Sequence, residues 1–138
     1  MEDGGFDLAG AREAAAQGRL AGWVDLHLRQ PGGNPALADG LRLAPRLWEG
    51  PIQVRLSALE RCCGPEPGME YPEPTGSWKA RVLALAAHVG AGGRLAPLIV
   101  QRRGGILSVR DGNHRLGALE SLGESAAWVL IWTDAPAG

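Results

Sequence analysis

Residues 108–123 read SVRDGNHRLGALESLG, a strand-like end running through Asp-Gly-Asn into a helix-like stretch whose first turn carries His114 and Arg115. Aligned peptide dipoles already place partial positive charge at a helix start, so a cation there costs a few tenths to about 1 kcal/mol. An anion bound at the turn removes that conflict. Gly112 lets the backbone approach a ligand closely, Asn113 can cap the helix or donate an amide hydrogen bond, and the free N–H groups of the first turn form a ready anion site. His114 and Arg115 then add donors, Arg115 as a bidentate fork suited to phosphate oxygens. The plainer reading stands beside it: Asp111-Gly112 as a turn, Asn113 as a cap, and His114 and Arg115 as solvated surface.

Phosphoryl transfer or nucleotide hydrolysis also requires a base and usually a divalent metal. Asp111 adjoins the turn and could hold Mg²⁺ through water, or could simply shape the turn. Glu66 and Glu70 lie in the stretch 62–76, CCGPEPGMEYPEPTG, whose four prolines imply a long loop, and either could act as the base or be solvated. Asp111, His114 and Glu70 are the candidate catalytic residues. Lys79 and Arg81 open the next helix and could add phosphate contacts, with exposed surface as the alternative, while Arg102 and Arg103 flank a turn and read as exposed. Cys62 and Cys63 are adjacent, and two thiols alone do not make a zinc site. His27, His88 and His114 are far apart and show no metal-ligand spacing.

The elements that must position these residues follow from periodicity. Asp7 can cap a helix over 7–17 that Gly18 ends, and Leu20, Trp23, Val24 and His27 form a second helical stripe closed by Pro31-Gly32-Gly33. Ile52, Val54 and Leu56 alternate as a half-buried strand does, and 57–61 reads as one helical turn. Ser77 is a good cap for a helix carrying Trp78, Val82, Leu85 and Val89, with His88 in its last turn as a surface histidine. APLIVQRR and ILSVR flank Gly104-Gly105, a hairpin signal. A buried strand, AAWVLIWTD, follows the helix that Asn113 opens.

The order PIQVRLSAL, a helix ending HVGAGG, PLIV, LSVRDGNHRLGAL, LG and a last strand resembles the ParB/sulfiredoxin superfamily over roughly residues 51–132. Gly112, Arg115 and Ala118 match its Gly-x-x-Arg-x-x-Ala element, which opens a helix and holds nucleotide phosphates. GNHR is similar to the G-C-H-R of sulfiredoxins and to the D-G-H-H-R of the free serine kinases of the same fold. The resemblance implies an α+β fold, a small mixed sheet with packed helices over 51–138, preceded by a helical extension over 1–50 anchored by Trp23. It also implies a phosphate site at Gly112, Asn113, His114, Arg115 and Ala118 for a nucleotide of ATP/ADP or CTP type, with Mg²⁺ at Asp111. Sulfiredoxin chemistry is not expected, because Asn113 stands where those proteins carry cysteine.

Three functions are therefore open: nucleotide-phosphate binding with phosphoryl transfer or hydrolysis as its extension, a nucleic-acid module or ParB-like nuclease, and a non-catalytic interaction domain. A formal net charge of −1 argues against a large phosphate-neutralising surface. No helix-turn-helix follows the last strand, so sequence-specific DNA binding is not expected. The acidic start MEDGGFDLAG lacks the pattern of a signal peptide, and no run of apolar residues suits a membrane span, so the expected location is the cytoplasm.

Overall fold

The structure, a computed structural model, describes residues 5–136. Three helices come first: α1 (Leu8–Ala16), α2 (Leu20–Leu28) and α3 (Pro35–Leu41). Asp7 accepts from the Gly10 N–H and Asn34 from the Leu37 N–H, each satisfying a donor that the helix start leaves orphaned. Next come β1 (Arg46–Arg55), a single 3₁₀ turn (Leu56–Ala58), β2 (Leu59–Arg61), β3 (Cys63–Gly64), β4 (Tyr71–Pro72) and α4 (Thr75–Gly90). The chain closes with β5 (Leu98–Arg103), β6 (Ile106–Asp111), α5 (Asn113–Ser121) and β7 (Ala126–Asp134).

The expected α+β architecture is present. Five strands form one mixed sheet in the order β1-β7-β5-β6-β2. β5 and β6 are an antiparallel hairpin turning at Gly104 and Gly105, both at positive φ, as the Gly-Gly signal requires. β7 then returns parallel to β5, and β1 runs antiparallel along the outer edge of β7, with its pairing interrupted between Glu49 and Ile52.

The strand period of two sorts the core between two faces. Ile99, Leu130 and Trp132 face α1–α3, where Val24 and Leu28 are fully buried against them. Their neighbours Leu98, Val100, Val129 and Ile131 face the other way and pack with Val109 of β6 and Leu116 of α5. Each such side chain contributes roughly 1.5–3 kcal/mol by leaving water. α4 lies outside α5 through Trp78, Val82 and Ala118. Gly117 permits that approach, since a Cβ there would sit 2.9 Å from Trp78 and 3.0 Å from Val82.

Helices α1–α3 thus supply one covering layer of the sheet, and β1 begins at Arg46, ahead of the boundary placed at residue 51. Two local expectations are corrected. The helical turn expected over 57–61 is a 3₁₀ turn that ends at Ala58, and Leu59–Arg61 instead pairs in parallel with Leu107–Val109 as an edge strand. Ser77 is not the cap of α4, which starts at Thr75 after Pro74, and the Ser77 hydroxyl donates to the Pro74 carbonyl instead. Among the described residues no helix is long and apolar enough to cross a membrane.

Candidate functional site

β6 ends at Asp111, Gly112 takes the left-handed conformation (φ 96°), and α5 starts at Asn113. Gly112 itself occupies the cap position, and no side chain caps the helix. This turn lies on the wall of a cleft of about 560 Å³, between α3 with its preceding loop and the segment around Cys62, Cys63 and Tyr71. Arg81 and Arg110 also line the cleft.

Arg115 does not reach into solvent. Its guanidinium folds back beneath the turn, donating to the Ala96 and Pro97 carbonyls at 2.9 and 3.1 Å and to Asp111 Oδ2 at 2.6 Å. The anion that offsets the cation at this helix start is therefore carried by the chain itself. The fold-back also explains the glycine: a Cβ at residue 112 would lie 2.8 Å from the guanidinium and 2.7 Å from Leu98. Asp111 is correspondingly paired with Arg115 rather than turned wholly to the cleft.

Asn113 corrects a second expectation. It does not cap α5. Its side chain is buried, accepting from the Cys62 and Cys63 N–H groups at 2.9 and 3.3 Å and donating to the Val109 carbonyl at 3.0 Å. The amide thus pins the chain leaving β2 to the start of α5. Ala118 is fully buried in the α4–α5 contact, so it serves the turn by letting those helices close.

His114 remains at the cleft. Trp78 packs against its ring at 4.8 Å between centroids, and Nε2 lies 2.7 Å from Glu73 Oε2. Glu73, which sequence reading passed over in the proline-rich segment, is thus the carboxylate at this histidine. Glu70 is instead held by Arg110, with contacts of 2.7 and 3.1 Å. Those hydrogen bonds hold its carboxyl down at about 2, which makes it a poor proton acceptor near neutral pH. Glu66 is bound to Arg61, which likewise lowers its carboxyl below the ordinary range. Lys79, Arg102 and Arg103 are exposed, and His88 sits at the surface beside the Arg94 carbonyl.

Cys62 and Cys63 part company in space. Cys62 is buried, with its thiol on the Val109 carbonyl. Cys63 is half-buried, and its sulfur, a Glu73 oxygen and a His114 ring nitrogen all lie within 4.8 Å of one another. Burial, and after it the Glu73 carboxylate, push the Cys63 thiol up. That is the opposite of what an activated nucleophile needs.

His27 approaches the turn from α2. Its ring stacks on Trp23 at 5.1 Å, Nε2 lies 3.9 Å from Asp111, and Nδ1 is buried without a partner. Burial, reinforced by the nearby Arg115 charge and opposed by Asp111, lowers its pKa from 6.5 to about 4. The unfolded chain therefore takes up this proton first as pH falls. Stability is complete above pH 6.5, declines below it and levels off below about 4. We expect a loss of about 2–3 kcal/mol between roughly pH 7 and 4.5 in denaturant titrations. His27→Leu should flatten that slope, and an unchanged slope would assign it to other groups.

No family model matches the chain, and no curated protein sequence matches it. Among solved structures the chain is similar to a sulfiredoxin from Arabidopsis thaliana, with 18% identity and a TM-score of 0.42 over 67% of this chain and 86% of that one. It is also similar to a Pnob8-like ParB-N domain, with 17% identity and a TM-score of 0.40 over 64% of this chain and 30% of that one. The chain thus spans less than a third of that ParB-N chain. Neither similarity carries an activity across.

Proposed function

We propose that this protein binds the phosphate groups of a nucleotide of ATP, ADP or CTP type at the Gly112–Arg115 turn. The observation that carries this reading is the start of α5, uncapped by any side chain and set on the wall of a large cleft that Arg81 and Arg110 also line. Backbone N–H groups and the helix dipole would take the phosphate oxygens, with His114 and Arg81 as side-chain donors. Arg115 and Asn113 would hold the turn in shape and not touch the ligand. A divalent ion would arrive as the nucleotide's own Mg²⁺ complex, since Asp111 is already paired with Arg115. Were phosphoryl transfer or hydrolysis to follow, Glu73 and His114 are better placed than Glu70 to handle a proton.

The arginines favour this reading over a nucleic-acid surface. Arg29, Arg42, Arg46, Arg61, Arg102 and Arg110 each face a carboxylate, which lowers the field available to a polyanion.

A thermal-shift titration with ATP, ADP and CTP, with and without Mg²⁺, tests the proposal. At least one nucleotide should raise the melting temperature. Arg81→Ala should weaken its binding about ten- to a hundredfold while leaving the free protein within about 0.5 kcal/mol of wild type, because Arg81 is exposed and buries no contact in the core. If no nucleotide shifts the wild type, the proposal fails.

A further inference from the structure

Three elements distant in sequence bring metal-binding atoms together. Cys63 comes from β3, Glu73 from the segment between β4 and α4, and His114 from the first turn of α5. Their sulfur, carboxylate oxygen and ring nitrogen lie within 4.8 Å of one another, and all three residues are partly buried. We propose that Cys63, Glu73 and His114 form a site for a soft divalent cation of the zinc class, with a fourth position open to the cleft.

The donor set suits that class. Zinc takes thiolate, imidazole and carboxylate together, whereas magnesium and calcium take oxygen ligands. Zn–N and Zn–O bonds of about 2.0–2.2 Å put tetrahedral ligand atoms about 3.3 Å apart. His114 Nε2 and Glu73 Oε2, now 2.7 Å apart, would separate by a few tenths of an ångström, and the sulfur would move inward. Thiolate and carboxylate together balance the charge of the ion.

The supports around the set limit its motion. Asn113 anchors the Cys63 N–H at 3.3 Å and stands next to His114 in α5, so one amide ties two of the three ligands. Trp78 holds the imidazole plane. Arg81 lies 3.8 Å from the other Glu73 oxygen, orienting the carboxylate from outside. Such outer partners commonly fix ligand geometry at metal sites. Cys63 and His114 both line the cleft, so three protein ligands would leave the remaining position facing it, the pattern of a zinc site open to a water or substrate.

The test uses the reduced, metal-free full chain without nucleotide, titrated with Co²⁺. Wild type should develop thiolate-to-cobalt charge-transfer absorption in the near ultraviolet together with intense tetrahedral visible bands, and Zn²⁺ should abolish both. Cys63→Ser should remove the charge-transfer band, whereas Cys62→Ser should keep it. Glu73→Gln and His114→Gln should each weaken cobalt binding by about tenfold or more while the charge-transfer band survives at saturation. Circular dichroism checks the folding of each variant. If Cys63→Ser does not fold, the glutamate and histidine variants decide. A wild type without the charge-transfer band overturns the proposal, as does a band that survives in folded Cys63→Ser or cobalt affinities unchanged in both other ligand variants. Because nucleotide is absent throughout, this result is separate from that of the nucleotide titration.

Discussion

Arg115→Ala should destabilise the ligand-free protein by about 3–5 kcal/mol, measured by urea unfolding. The guanidinium is bonded to three groups, and its removal strands each of them: the Asp111 carboxylate and the carbonyls of Ala96 and Pro97. Stranding a charged partner in a partly buried place costs far more than the net worth of an exposed ion pair. The double variant Asp111→Asn with Arg115→Met should recover part of the loss, because the uncompensated charge is gone and most of the volume is kept. A loss below about 1 kcal/mol in Arg115→Ala would mean that the guanidinium is free to serve a ligand instead. The helix dipole taken alone would make Arg115 slightly unfavourable until an anion binds. Asp111, four residues earlier at the end of β6, supplies that anion from within the chain.

Asn113→Ala should cost about 2–4 kcal/mol by the same measurement. The Cys62 and Cys63 N–H groups lose their acceptor, and the Val109 carbonyl loses the amide donor while keeping the weak Cys62 thiol. The two cysteines lie about fifty positions away along the chain, so the amide acts as a long-range tie between the end of β2 and the start of α5. Any loss of ligand binding in this variant should therefore accompany loss of stability. A stable Asn113→Ala that had lost nucleotide binding would show that the amide contacts the ligand after all.

Local signals made most of the fold legible. Gly104-Gly105 marks the hairpin, Asp7 the start of α1, and the apolar runs at 98–100 and 127–132 the buried strands. Each depends on neighbours a few residues away. The edge strand Leu59–Arg61 was hidden because its reason for being extended is β6, nearly fifty residues on. The site divides along the same line. The turn at Gly112 and the exposure of His114 to the cleft follow from local chemistry. The Ala96 and Pro97 contacts of Arg115, the pairing of Glu73 with His114 and the convergence of Cys63 on them depend on residues that no short window of sequence contains. His27 could have drawn notice, since its stripe with Trp23 and Val24 implied burial, and a buried imidazole near other charges seldom keeps its ordinary pKa.

The interruption in β1 bears on how these molecules behave when crowded together. β1 is the long outer strand of the sheet, and an unbroken outer strand is a template on which another chain can extend the ladder. Here regular pairing holds only over Arg46–Glu49 and again over Ile52–Arg55, with Gly50 and Pro51 between them. Pro51 has no N–H to offer, and the irregularity throws the two halves out of a common register. Arg46, Glu49 and Arg55 add charge along the same edge. At the opposite edge β2 is only three residues long. A neighbouring molecule thus finds no continuous run of backbone groups to copy, and the sheet ends at its own borders even though Leu47 and Ile52 stand exposed along one of them.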